Sequence, residues 1–194
     1  MKVINQNLFF IKEHIGMFKA ANNYDILNPE SQELIMTCRE DNLGGLTKLL
    51  RFTKYKRMTP FNISINNTSG DRILSVKKGI SFFRSTVEVF NENNILIGKF
   101  KQKFFTIGGK FDVLDENNNV VCALKGKWTS WEFSFIKENT ELARVTKKWA
   151  GLGKELFTTA DNYMLKINET VPANDENRLL ILAAVMCIDM VLKE

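Results

Sequence analysis

The sequence is poor in the residues that do chemistry. It has one histidine, His14, so neither a Ser-His-Asp triad nor a multi-histidine metal site can be assembled from it. Its three cysteines, Cys38, Cys122 and Cys187, lie far apart with no CxxC pair. That spacing offers no disulfide framework, and it reads as reduced thiols in a cytoplasmic protein. Cys122 and Cys187 sit in apolar runs and are expected to be inert core thiols. A secretory leader is not expected, because Asn5, Gln6 and Asn7 interrupt the apolar stretch it needs. The sequons at Asn62, Asn66, Asn67 and Asn168 therefore carry no weight. No phosphate loop is present either. Gly108-Gly109-Lys110 and Gly151-Leu152-Gly153-Lys154 do not fit GxxxxGK[ST], and glycine at tight bends accounts for them. An enzyme is not expected.

Long apolar runs are also scarce, with one exception. Leu179 to Ile188 are ten apolar residues in a row, and Met190, Val191 and Leu192 follow a single Asp189. A helix over Arg178–Glu194 has no polar face, so it must be buried all round. About 15 residues at 1.5 Å each give roughly 22 Å, short of the bilayer's hydrocarbon core of about 30 Å. No transmembrane span is expected.

The rest of the chain alternates between short apolar runs and turns rich in Asn, Asp, Glu and Gly. Five hairpins follow: Tyr24–Leu27 with Leu34–Met36, Phe61–Ile65 with Ile73–Val76, Val87–Phe90 with Ile95–Phe100, Phe111–Leu114 with Val120–Leu124, and Phe133–Ile136 with Leu142–Val145. Leu8–Lys12 and Tyr163–Ile167 alternate similarly and add two strands. Asn, Asp and Gly tolerate the left-handed dihedrals of hairpin turns. The expected fold is mainly β: one domain over residues 1–194, an antiparallel closed barrel of about twelve strands. About twelve strands leave an interior wide enough to enclose the hydrophobic C-terminal helix. Asp189 is the polar intruder in that helix, and a buried carboxylate needs a partner or a proton. Its expected place is near the barrel mouth as a buried structural residue.

The net charge of +5 is unevenly placed. Leu46 to Met58 contains Lys48, Arg51, Lys54, Lys56 and Arg57 with no acid. Phe52 and Tyr55 add aromatic character suited to a headgroup interface. These five basic residues are the candidate lipid- or phosphate-binding site, on a loop or short helix facing an anionic phospholipid membrane surface. The same segment can be read as a solvated connector between hairpins. Trp128, Trp131 and Trp149 could stack bases, but aromatics at strand positions pack a barrel, so nucleic acid is not the expected partner.

Three stretches together carry a family resemblance: Val145-Thr146-Lys147-Lys148-Trp149-Ala150-Gly151, then Phe157-Thr158-Thr159-Ala160-Asp161-Asn162-Tyr163, then the apolar terminus through Ile188-Asp189-Met190. They resemble the C-terminal third of the phospholipid scramblases. Arg57 to Phe61 with the turn at Gly70, and Ile97-Gly98-Lys99-Phe100, fall where that family has similar strands. The shorter N-terminal strands look more like the LURP-one-related proteins. The resemblance implies the Tubby C-terminal-like fold, a twelve-stranded barrel around a central helix. It also implies a scramblase-like protein that binds anionic phospholipid or phosphoinositide peripherally at the cytoplasmic face of a membrane, with lipid scrambling as a further activity. A non-enzymatic interaction protein without a lipid ligand, and a nucleic-acid-binding Tubby-like module, are the alternatives. This chain shows neither the Pro-rich extension nor the Cys-rich palmitoylated segment of animal scramblases, so a constitutive anchor is not expected. In the segment proposed to bind calcium, Thr159 replaces an acid and only Asp161 remains. One carboxylate is a poor start for an ion that takes about six to eight oxygens, and no cofactor is expected.

Overall fold

The computed structural model describes residues 5–14, 21–40, 43–53, 55, 58–81, 85–102, 111–127, 130–147 and 162–192. Twelve antiparallel strands close into a barrel: β1 (Leu8–Glu13), β2 (Tyr24–Leu27), β3 (Leu34–Glu40), β4 (Phe61–Asn67), β5 (Arg72–Lys78), β6 (Thr86–Asn91), β7 (Leu96–Gln102), β8 (Phe111–Asp115), β9 (Val120–Lys127), β10 (Glu132–Lys137), β11 (Thr140–Thr146) and β12 (Tyr163–Ile167). Each strand pairs with its neighbours in sequence, and β1 closes the ring against β12 through Leu8↔Lys166 and Ile11↔Tyr163. A short helix α1 (Gly45–Arg51) lies between β3 and β4, and α2 (Asn177–Leu192) follows β12. The expected mainly β class, the twelve-stranded closed barrel and its buried C-terminal helix are all present.

The alternation that predicts the strands also sets their faces. Phe61, Ile63 and Ile65 of β4, Leu74 and Val76 of β5, and Val87 and Val89 of β6 all point inward and are buried. Outward positions such as Asn62, Lys101, Lys125, Glu132, Arg144 and Lys166 are exposed and polar. A membrane-spanning barrel has the reverse pattern, an apolar band outside and a polar interior.

The interior is filled by α2. Every residue from Leu179 to Ile188 is buried, as a helix without a polar face requires. Gly98 lets β7 approach this helix. A Cβ there would lie 2.5 Å from the Leu114 carbonyl oxygen and 2.7 Å from Leu180 Cδ2. Arg178, only 1% exposed, anchors the start of α2. It donates to the Val171 and Gln6 carbonyls and to Asn7 Oδ1, the last at 2.8 Å. Burial lowers its pKa. Among the described residues no helix is long and apolar enough to cross a membrane.

All five hairpins share one turn plan. Each contains a single residue in the left-handed region: Gln32, Gly70, Asn94, Asn118 and Glu138. Each also has a register irregularity beside the turn, for example between Val89 and Phe90 or between Val113 and Leu114. A bulge next to a left-handed residue lets a short loop reverse the chain without losing strand twist. In four of the five, an Asn or Asp at the loop start accepts backbone N–H groups. Asn28 Oδ1 takes Glu30 N, Asn67 Oδ1 takes Asp71 N, Asn91 Oδ1 takes Ile95 N, and Asp115 Oδ1 takes Asn119 N at 2.7 Å. Short polar side chains that mimic a backbone turn explain why these residues punctuate the sequence.

Candidate functional site

The hairpin turns all lie at one end of the barrel, together with the β12–α2 link. The connections β1–β2, β3–β4, β5–β6, β7–β8, β9–β10 and β11–β12 join strands at the other end. The basic segment belongs to the β3–β4 connection, so the candidate site sits at that second end.

Its foundation is a charged cluster across the barrel mouth. On β3 the inward row Met36, Cys38 ends in Glu40. On β5 the inward row Leu74, Val76 ends in Lys78. Period-2 alternation therefore aims an acid and a base inward at the rim. Arg51, the last residue of α1, reaches down to meet them. Its Nη1 and Nη2 donate to Glu40 Oε2 and Oε1, both at 2.5 Å. Its Nη2 also donates to the Pro60 carbonyl at 2.9 Å. The ion pair is almost wholly buried, with 4% and 0% side-chain exposure. Glu40 Oε2 further accepts from the Asn22 backbone and side-chain nitrogens at 2.9 and 3.0 Å. Lys78 Nζ donates to the Thr59 carbonyl at 3.0 Å. Burial, assisted by the nearby Arg51 charge, lowers the Lys78 pKa to about 8. A forked guanidinium–carboxylate pair is strong and directional, and here it seats α1 on the barrel.

This placement corrects one sequence reading. Arg51 is buried beneath α1 and is not part of an exposed lipid-binding face. Its guanidinium is spent on Glu40 and Pro60. Lys48 is exposed on α1 as expected, and Lys54, Lys56 and Arg57 lie outside the described residues. Around Lys48 the exposed side chains are largely apolar: Leu46 at 72%, Leu49 at 65%, Phe52 at 60% and Tyr55 at 45% exposure. Ile80 is exposed on the neighbouring β5–β6 connection, and the Ser81 N–H donates to the Met58 carbonyl at 3.3 Å, tying the two connections together. A cleft of about 490 Å³ runs beside α1, lined by Thr47, Pro60, Asn62, Lys77 and Lys78 among others. Lys77 Nζ lies over the Phe90 ring at 4.7 Å, so a bound anion would compete with that contact for it.

The other candidate residues fall elsewhere. His14 Nε2 pairs with Asp25 at 2.7 Å, and Arg39 holds the other oxygen of the same carboxylate. Burial raises the Asp25 pKa, but bonds from Arg39 and His14 outweigh it and the net shift is downward. All three cysteines are buried. Burial pushes the Cys122 thiol up to about 12 and raises Cys38 and Cys187 as well, which makes them poor nucleophiles. Trp131 packs on Tyr163 and carries Lys147 Nζ 3.6 Å above its ring. Trp128, Trp149 and Asp161 lie outside the described residues, as does the side chain of Asp189. Among the described residues no group of three or more His, Cys, Asp or Glu is placed to hold a metal.

Sequence reasoning missed Glu40 and Lys78. The signal was available. Extending the alternating rows by one step beyond Cys38 and Val76 lands on each charge.

Comparison with known proteins gives the fold a family. Residues 3–194 match the Scramblase family, and the chain belongs to it. A phospholipid scramblase family protein of Schizosaccharomyces pombe is 22% identical over 196 residues, covering 92% of this chain and 51% of that protein. Phospholipid scramblase 2 of Homo sapiens is 20% identical, covering 84% of this chain and 58% of the human protein. Altered inheritance rate of mitochondria protein 25 of Saccharomyces cerevisiae is 18% identical, with 86% and 58% covered. The chain thus spans a little over half the length of these curated relatives. An X-ray structure of a protein from Arabidopsis thaliana superposes with a TM-score of 0.59 over 96% of this chain and 92% of that one, at 14% identity. That likeness is one of fold.

Proposed function

We propose that this protein docks peripherally on anionic phospholipid through α1 and the turn that follows it, and that it acts without catalysis. Membership of the Scramblase family supports a phospholipid-related role. The observation that carries the reading is an exposed apolar surface around Lys48, held on a buried ion pair. Leu46, Leu49, Phe52 and Tyr55 stand exposed around Lys48, while the buried Arg51–Glu40 pair fixes the helix beneath them. Apolar and aromatic side chains enter the headgroup boundary, and nearby cations meet anionic lipid. Each Lys or Arg near such a surface contributes about 1 kcal/mol, a factor of about five in binding. Lipid movement across the bilayer is a further step. In the closed barrel α2 is the core, so it does not serve as a span.

The test is co-sedimentation with vesicles of phosphatidylcholine with and without phosphatidylserine. The wild-type chain is expected to bind the anionic vesicles. Binding is expected to persist in part near 0.3 M salt, where the Debye length is down to about 5–6 Å and apolar insertion must carry it. Changing Lys48, Lys54, Lys56 and Arg57 to Ser, with Arg51 kept, is expected to abolish most binding. Unaltered binding would remove this segment as the site. No preference for anionic vesicles at all would favour a protein-interaction module instead.

A further inference from the structure

We infer that the barrel meets an anionic bilayer end-on, with the end that holds the long connections against the lipid and the hairpin-turn end pointing away. The inference rests on the lipid-binding reading above and adds an orientation to it.

The segments that connect strands at the two ends differ in charge and in aromatic content. By sequence composition alone, the six segments that join strands at the long-connection end contain twelve Lys or Arg, the buried Arg51 among them, against three acids, with eleven of the chain's aromatic residues. The five hairpin turns and the β12–α2 link contain nine acids, no Lys or Arg, and no aromatic residue. Cations beside Trp, Tyr and Phe are the composition of a membrane-water interface. Acids without cations are the composition such an interface repels.

The described side chains agree with the count. Five of the eight exposed large apolar residues, Leu46, Leu49, Phe52, Tyr55 and Ile80, belong to two adjacent connections at the long-connection end. The remaining three, Leu34, Ile95 and Val120, sit singly at or beside separate turns of the other end. The flank between the ends is polar, with Arg144 bridging Glu132 and Glu141 on its surface. A broadside approach would bury those charges for no apolar gain.

Distance makes the acidic end a selector. Strands of about six residues at 3.3 Å run roughly 20 Å, and the tilt of about 35–45° in a closed barrel leaves roughly 15 Å between the ends, about one and a half to two times the Debye length of roughly 8–10 Å in physiological salt. Once the cationic end is docked, the acidic turns are screened from the lipid. They oppose only the inverted encounter.

The experiment places one fluorophore at each end. Thr53 and Asn117 are both exposed, whereas Cys38, Cys122 and Cys187 are buried, so Thr53→Cys and Asn117→Cys can be labelled selectively in the folded chain. Phosphatidylserine vesicles carrying a lipid-attached quencher are then added. We expect quenching of the label at 53 and none at 117, with both proteins sedimenting alike. Ile80→Cys serves as a second probe of the long-connection end should a label at 53 itself weaken binding. Replacing Glu30, Glu92 and Glu138 with Lys in the Asn117→Cys protein is expected to bring on quenching at 117. Vesicle binding with equal quenching at both ends, or at neither, overturns the orientation while the lipid reading stands. Failure of the wild-type chain to bind anionic vesicles overturns both.

Discussion

At the hairpin end, five connections reverse the chain in two to six residues, each with one left-handed residue and four with an Asn or Asp that caps its own turn. At the opposite end, the connections run from four to twenty residues. There order comes from a buried tertiary cluster, Glu40–Arg51 with Lys78, that seats a short helix over the barrel mouth. The hairpin end is held by local backbone chemistry; its turns carry acids and amides with no Lys, Arg or aromatic residue, and Leu34, Ile95 and Val120 are exposed there singly. The long-connection end is held, at α1, by long-range charge pairing, and among the described residues it displays Lys48 amid exposed apolar side chains. The contrast teaches a division of labour. Where local turn chemistry closes the chain, exposed large apolar side chains occur only singly among polar ones in the described residues. Where large apolar side chains cluster in water, as around α1, the seat beneath them is supplied from the interior.

Four changes break or sharpen this contrast, beginning with the element both ends share. Removing residues 178–194 takes away α2 and the Arg178 anchor. The seven Leu, Ile, Val and Met side chains between Leu179 and Ile188 are each at most 2% exposed. Their burial is worth roughly 10–20 kcal/mol gross, as an upper bound, against a usual net stability of about 5–15 kcal/mol. The truncated chain is expected to lose its cooperative unfolding transition and native circular dichroism. A monomeric truncation with native spectra would mean the barrel stands without its core.

Next in size is the seat of α1. Glu40→Ala leaves the Arg51 guanidinium buried without its carboxylate, and breaking such a pair typically costs about 3–5 kcal/mol. The urea midpoint should fall accordingly, and hydrogen exchange should show α1 losing protection before the hairpin end does. Glu40→Leu with Arg51→Met, which removes both charges, should recover most of the loss. If the single change costs nothing, the second end is not held by this pair.

Lys78 gives that end a pH signature. Its folded-state pKa of about 8 lies below the ordinary 10.5, so between these values the unfolded chain holds more proton than the folded one. Stability from this group must therefore rise with pH across that window and be lowest below about 8. The full effect is at most about 3.5 kcal/mol, since each factor of ten in proton affinity is worth about 1.4 kcal/mol. Unfolding midpoints of the wild type and of Lys78→Met, compared from pH 7 to 10, should diverge in slope. Parallel curves would show that Lys78 is solvated at the mouth.

The same contrast explains how much could be read in advance. The strands and α2 were legible because alternation and uninterrupted apolarity are local signals. The turns were legible because Asn, Asp and Gly act on their own backbone. Arg51 was misread because a basic residue among Lys48, Lys54, Lys56 and Arg57 looks like one more surface charge. Its partner Glu40 lies eleven positions away, on the far side of a chain reversal. Only the inward row of β3, followed past Cys38 onto an acid, points to the pairing. Nothing local to α1 does.

The smallest effect tests whether the two ends are independent. Gly70 sits in the β4–β5 turn at φ 89°, with nothing within 4 Å of the position a Cβ would take. Gly70→Ala therefore adds no clash, and its whole cost is the left-handed conformation, about 1–2 kcal/mol for an L-residue. Gly70→Asn should cost less, because Asn tolerates that region and serves there already at 94 and 118. Neither change should alter sedimentation with anionic vesicles, since the turn lies at the end turned away from the lipid. The converse pair is Leu49→Ser with Phe52→Ser. Both residues are exposed, so stability should stay within about 0.5 kcal/mol of wild type while vesicle binding falls. Stability and binding that fall together in both variants would show that the two ends are coupled through the barrel.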